Sequence, residues 1–273
     1  MRTPNSSLLS LALTLLAAAG PAARPAAGQA LAVGPQPWGS WLVGTVQWPG
    51  GGAGRRWGGF AEGQLRANGV ARQLFYHEAK AGLSYDLNRT TTALLGGGRY
   101  TTYDYRALEA GPTVAENRVW QQLALTHYAS RLKLEHRYRW EQRWLTLAPP
   151  NGPATSVFRQ RLRYRLNALL PLSGPALQPG GAFVSAYNEV FLNPAPAAFE
   201  RNRFYLGAGY QFSAALTAQL GWLLQADFNQ RPAGPGTPTG TVVKNSLVLA
   251  WSWRIRRGLP GETPTERLPT QQD

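Results

Sequence analysis

Apolar and polar side chains alternate along most of this chain with a period of two. In 158–170, Phe158, Leu162, Tyr164, Leu166, Ala168 and Leu170 share one parity, while Arg159, Arg161, Arg163, Arg165 and Asn167 share the other. In 131–145, Leu132, Leu134, His136, Tyr138, Trp140 and Trp144 alternate with Arg131, Lys133, Glu135, Arg137, Arg139, Glu141 and Arg143. A strand sorts side chains onto two faces in this way, whereas a helix would spread the arginines around its circumference. Segments 57–66, 202–212, 216–228 and 247–255 repeat the pattern, and weaker versions lie at 38–48, 72–85, 91–105, 118–127 and 182–192. The periodicity thus marks about eleven strands and no helix between them.

The connections carry a second signal. From residue 86 onward, tight turns (86–90, 129–130, 213–214) alternate with longer Gly- and Pro-containing loops (108–115, 148–155, 193–198, 231–240). Short turns on one side and long loops on the other are the habit of outer-membrane barrels. The parity fails before residue 70. Three features favour such a barrel over a soluble sandwich. The strands are long enough to cross a bilayer, which takes ~9–11 residues when tilted. Trp38, Trp48, Trp57, Trp140, Trp144, Tyr205 and Phe228 are expected to cap the apolar sets as interfacial girdles. The opposite faces are too charged for a dry sandwich core. The expected fold is therefore an all-β, antiparallel transmembrane β-barrel of ten to twelve strands. Twelve is the preferred count, because single-chain bacterial barrels keep even numbers.

The first thirty residues read as an address. Arg2 precedes the apolar run 8–19, which has signal-peptide length and is too short to span a bilayer; Pro21 and Pro25 break the chain directly after it. Cleavage is expected after Ala30 or Ala32. The domain reading is a signal peptide at 1–30, one barrel domain at 31–257 and a disordered polar tail at 258–273, with the bacterial outer membrane as the location.

Composition narrows the chemistry. Charged residues make up 15% of the 273 and the net charge is +14, nearly all of the cations being arginine. With no Cys, a thiolate metal site, a Cys nucleophile and a disulfide scaffold are excluded. With three His, a His-rich metal cage is not expected. The arginines alternate with aromatics onto opposite faces, which does not build the stacking platform of a nucleic-acid binder.

Five motifs occur in order: 116–122 (ENRVWQQ), 136–143 (HRYRWEQR), 161–164 (RLRY), 188–191 (NEVF) and 202–210 (NRFYLGAGY). As an ordered set they resemble a bacterial barrel family catalogued as domain of unknown function 2490, over roughly residues 38–255. The resemblance implies an outer-membrane β-barrel and no established activity. The long Gly/Pro-rich loops and the excess of arginine depart from that family.

If the polar faces line one lumen, Glu62, Gln64, Arg66, Arg99, Arg118, Gln122, Glu135, Arg137, Arg139, Glu141, Arg143, Arg159, Arg161, Arg163, Arg165, Glu189 and Arg203 point inward. The leading expectation is an Arg–Glu ladder that fills and fixes the lumen, since each inward charge needs a partner or water. The runner-up is an anion-preferring channel or cavity. An envelope lipid hydrolase is a remote third: His127 lies near Ser130, but Ser130 sits in a tight turn and no triad converges. His77 and Glu78, being adjacent, point to opposite faces. The glycine run 96–98 reads as close packing or a kink within a strand. No cofactor and no catalytic or metal site is expected. The expected partners are outer-membrane lipids and, for the lumen, a small anionic ligand, with the chain acting as a monomer.

Overall fold

The computed structural model describes residues 38–50, 56–149, 152–194, 198–230 and 240–255. The expected signal peptide (1–30) and polar tail (258–273) lie outside them. Within them the chain forms eleven strands: β1 (Trp38–Trp48), β2 (Trp57–Asn68), β3 (Gln73–Asp86), β4 (Thr91–Tyr103), β5 (Pro112–Ala129), β6 (Leu132–Leu147), β7 (Thr155–Pro171), β8 (Gly181–Leu192), β9 (Phe199–Gln211), β10 (Leu216–Gln230) and β11 (Gly240–Arg254). One short 3₁₀ turn, Leu108–Ala110, interrupts the connection between β4 and β5.

The strands close into a barrel in which each pairs with its neighbours in sequence. Every consecutive pair is antiparallel, so the first and last of an odd number run the same way. β1 and β11 accordingly close the barrel as a parallel pair, with Leu42 beside Leu249 and Val46 beside Trp253. The expected count of twelve is corrected to eleven among the described residues. The alternation itself marks eleven segments, and the preference for an even number adds one that the chain does not form here.

The connections fall on two rims. At the rim where β1 begins, the first rim, β2 gives way to β3, β4 to β5, β6 to β7, β8 to β9 and β10 to β11; at the second β1 gives way to β2, β3 to β4, β5 to β6, β7 to β8 and β9 to β10. The expected short–long alternation breaks at 172–180, a long connection on the rim with the tightest turns. Ser130 makes the two-residue turn between β5 and β6 possible by taking a left-handed conformation, φ 56°.

Alternation decides which side chains enter the barrel. Outward positions form an apolar surface on which Leu83, Leu95, Leu162, Leu206, Leu220 and Leu249 are all exposed. Trp38, Trp144, Phe158 and Phe199 stand toward the first rim, and Trp57, Tyr210 and Phe212 toward the second. Trp140 lies mid-strand rather than at a rim. Tyr205, expected among the outward aromatics, points inward and is 1% exposed. It stacks on Tyr187 with ring centroids 5.0 Å apart. Room for it comes from Gly207 and Gly221, where an added Cβ would collide with the Tyr205 ring. In the same way Gly96 on β4 leaves space for the fully buried Trp120 on β5. Large residues opposite glycine let side chains fill a narrow lumen.

The parallel closure can be tested without background because the chain has no cysteine. Leu42→Cys with Leu249→Cys, and separately Val46→Cys with Trp253→Cys, should each cross-link with a short bifunctional reagent. In an antiparallel seam the two strands would count in opposite senses, so at most one of these pairs could react.

Candidate functional site

The inward rows of β6 and β7 bring like charges face to face. In register, Arg137 faces Arg165, Arg139 faces Arg163, and Arg143 faces Arg159; only Glu141 meets an opposite charge, Arg161. Like charges directly across a ladder are destabilising. The pair holds because carboxylates from other strands interleave.

Glu141 is the hub. Its carboxylate accepts from Arg161 Nη2 and Arg163 Nη1 at 2.7 Å each, with Arg118 Nη1 at 3.4 Å and Arg139 Nη1 at 3.6 Å. Glu189 on β8 takes Arg137 Nη2 at 2.5 Å and Arg163 Nη2 at 2.7 Å, with Arg203 at 3.9 Å. Glu116 on β5 accepts two bonds from Arg143, at 2.7 and 2.9 Å, and one from Arg118 at 2.8 Å. Glu200 on β9 reaches Arg161 at 3.1 Å and Arg143 at 3.8 Å. The ion pairs therefore close a ring: Glu116, Arg118, Glu141, Arg161, Glu200, Arg143 and back. Arg163 ties that ring to Glu189.

Aromatic rings share the load. Phe191 is fully buried, with the guanidinium carbons of Arg163, Arg203, Arg161 and Arg201 at 4.5, 4.8, 5.0 and 5.6 Å from its ring centroid. Arg66 lies between Trp41 at 3.8 Å and Tyr76 at 4.1 Å. A guanidinium is flat and weakly hydrated, so it stacks as well as hydrogen-bonds, which a lysine cannot do as effectively.

Across the lumen, Lys80 on β3 sits between Glu62 at 2.7 Å and Glu78 at 2.8 Å. Thr45 donates to Glu62 at 2.8 Å, and the Tyr76 hydroxyl donates to Glu78. Lys80 and Glu78 were not among the expected lumen residues. Their shared parity with Tyr76, opposite in sense to the exposed His77, is the signal that places them.

Of the residues expected inside, Glu62, Gln64, Arg118, Gln122, Glu135, Arg137, Arg139, Glu141, Arg161, Arg163, Arg165, Glu189 and Arg203 are buried. Arg66 and Arg143 are half-buried on the same face. Arg159 has inward parity but stands exposed at the first rim. Arg99 is a correction. It lies exposed on the outer face and donates to Asn117 at 3.0 Å. Its strand neighbours Gly98 and Tyr100 take the lumen, where Tyr100 packs under Arg118 at 3.8 Å. His127 is on the outer face, stacked against His136 with centroids 5.0 Å apart.

Glu200 could not have been read from alternation. Phe191 pairs with Arg201 and Leu192 with Phe199, so Glu200 is the extra residue of a β-bulge. A bulge re-aims a side chain, and both Glu200 and Arg201 reach the interior. The register shifts between β2 and β3, β4 and β5, and β10 and β11 lie at the same first rim.

These bulges surround the mouth of a cavity of about 690 Å³. Nine basic side chains line it (Arg66, Arg118, Arg143, Arg159, Arg161, Arg163, Arg201, Arg203 and Lys244) against three carboxylates, Glu78, Glu116 and Glu200. At the second rim a cavity of about 90 Å³ is lined by other residues, Glu135, Leu177 and Phe183 among them. Between the two, Phe60, Trp120, Tyr205 and Leu223 are 0–1% exposed. The larger cavity is thus a cationic vestibule with a packed floor, able to attract and hydrogen-bond an anion.

Removing the hub charge tests the network. Glu141→Gln leaves four guanidiniums short of their shared counter-charge, and breaking a buried ion pair from one side costs on the order of 3 kcal/mol. Its unfolding temperature in detergent should fall clearly. Glu135→Gln should have the smaller effect, since Glu135 is held by Lys133 at 3.3 Å and Asn167 at 2.8 Å rather than by four guanidiniums. Unchanged unfolding for both variants would refute a structural role for the network.

A comparison with curated proteins finds no match for the chain. A family model matches residues 38–234, which is β1 to β10 and a little beyond, somewhat short of the expected 38–255. With that match spanning most of its length, the chain belongs to the family described as "protein of unknown function (DUF2490)".

Proposed function

We propose that this chain is an integral outer-membrane β-barrel with a structural or binding role, exported behind residues 1–30 and closed to through-flow. The observation that carries the reading is the outer surface. A closed barrel presents Leu, Val and aromatic side chains outward on every strand, with Trp57 66% and Leu83 59% exposed. Soluble monomers rarely expose contiguous apolar patches beyond a few hundred Å². A closed barrel has no unpaired strand edge, the condition for crossing hydrocarbon with strands. All eleven strands, from 11 to 18 residues long, reach the ~9–11 needed. No enzymatic activity is part of this reading.

An anion-selective channel is the second reading, favoured by the cationic vestibule. Against it stands the floor. Trp120, Phe60, Tyr205 and the Glu141 network occupy the section that ions would have to cross. A gate would have to move several packed residues at once.

Two measurements test the proposal. Leu249→Arg, in the middle of the apolar outer surface, should lower stability in bilayers by about 2–4 kcal/mol, the usual cost of a cation at mid-membrane on a barrel. A soluble protein would tolerate an arginine at such an exposed site. In planar bilayers the protein should pass little or no current. Any residual current should favour anions, read as the reversal potential across a salt gradient. A steady anion-selective current would promote the channel reading, and a large cation-selective one would contradict both.

A further inference from the structure

The vestibule holds more positive charge than the fold uses. Arg159 is exposed at the mouth, directly across the ladder from Arg143. No hydrogen bond, ion pair or ring contact joins its side chain to another described residue. Arg143 and Arg161, beside it, share the carboxylate of Glu200. Glu200 differs from the other acids of the ring. Its side chain is 26% exposed, whereas that of Glu141 is 0%, and it is carried on a bulge rather than locked in the ladder. One solvent-reached carboxylate therefore sits on two guanidiniums while a third stands unmet.

We propose that this corner binds a phosphate-bearing anion of charge two or more, seated on Arg143, Arg159 and Arg161, with Glu200 as the internal carboxylate that it displaces. The proposal rests on the closed-lumen reading, since a cavity with a floor retains its ligand. Phosphate oxygens suit the forked donors of arginine, and two parallel bonds give geometry as well as energy. A monocarboxylate would gain little, because Glu200 already supplies one. A dianion satisfies Arg159 as well. The cavity of about 690 Å³ falls among pockets that enclose drug-sized ligands, ~300–1,000 Å³, so it has room for more than the phosphate. Across the mouth, Phe75 and Tyr105 form an edge-to-face pair with centroids 6.3 Å apart. Both line the cavity, and Phe75 is itself the extra residue of the β2–β3 bulge. That wall offers an apolar surface for the rest of the molecule, as in a sugar phosphate or a nucleotide.

The test is calorimetric titration of the full exported chain, in neutral detergent at low salt, with inorganic pyrophosphate. Saturable one-to-one binding that weakens with added salt is expected, because exposed charges are screened. Arg159→Gln should weaken binding about tenfold, the loss of one charge-assisted contact. Glu200→Gln should tighten it severalfold by removing the competitor. Arg159 stands outside the ionic ring, so Arg159→Gln should leave the unfolding temperature unchanged; Glu200 belongs to the ring, so Glu200→Gln should lower it somewhat, and a retained cooperative transition shows that this variant is folded. No saturable binding by the unaltered protein, or an affinity indifferent to both substitutions, would overturn the proposal. Repeating the titration in lipid discs with and without an anionic phospholipid separates two sources of phosphate. Equal affinity assigns the ligand to the aqueous phase, and a lowered apparent affinity in anionic discs assigns the site to a lipid headgroup. Bilayer recordings on the same preparation separate this proposal from the one beneath it. Binding together with a large steady current would overturn the closed lumen and keep the site. Neither binding nor current would overturn the site alone.

Discussion

Everything inside this barrel is arranged around one requirement: arginines that alternation sends inward must meet a carboxylate or an aromatic face. β6 and β7 alone contribute three directly opposed arginine pairs. Their repulsion in a medium poorer in water than bulk would splay the ladder. Glu141, Glu189, Glu116 and Glu200, drawn from β5, β6, β8 and β9, are what make the rows compatible. An acid serving several bases is economical only when the bases are arginines, whose several donors can be divided among partners. Arg163 does this, giving Nη1 to Glu141 and Nη2 to Glu189. Lysine in its place would carry the charge without the fork.

The same requirement explains why the two rims differ. At mid-height the ladder is regular and each buried carboxylate is shared among several arginines. Toward the first rim the register slips on four strand pairs, and on β2–β3 and β8–β9 the slip turns a side chain that strict alternation would have sent elsewhere. Glu200 enters the lumen by this route and completes the ionic ring. Phe75 reaches the mouth by the same device. Bulges gather at barrel rims and beside sites because they trade ladder hydrogen bonds for a re-aimed side chain. Their concentration on the rim that also holds the cationic cavity sets this end of the barrel apart from the other.

Most of the fold was legible because its signal is local. Thirteen residues of β7 suffice to assign two faces, and the same parity places Glu141, Arg161 and Glu189 in one lumen without any knowledge of the neighbouring strands. What escaped was not local. Arg99 shares its parity with Leu95, but Leu94 and Tyr100 occupy the other face, so β4 carries apolar residues on both sides and does not show by itself which side is the lumen. Tyr205 looked like an interfacial aromatic because its inward position depends on Gly207 and Gly221, one of them on another strand. Glu200 depends on a register slip, which no periodicity encodes. The strand count is present in the pattern itself; only a general preference for even numbers points away from it.

The odd count also shapes how the lumen is divided. Parallel ladders are slightly weaker per residue than antiparallel ones, so the seam between β1 and β11 is where the barrel needs support that its hydrogen bonds do not supply. Trp41 and Val43 on β1 and Val248 and Ala250 on β11 face inward there, clustered with Leu223, Tyr187 and Tyr205. The ionic ring lies under β5, β6, β7 and β9 instead, where every ladder is antiparallel. An apolar cluster beneath the seam gains from excluding water from the parallel hydrogen bonds. A charged network there would draw water toward them. The apolar cluster thus backs the middle of the weakest ladder, with Arg66 and Arg203 stacked on its Trp41, while the ionic ring lies where hairpins already hold the strands in register.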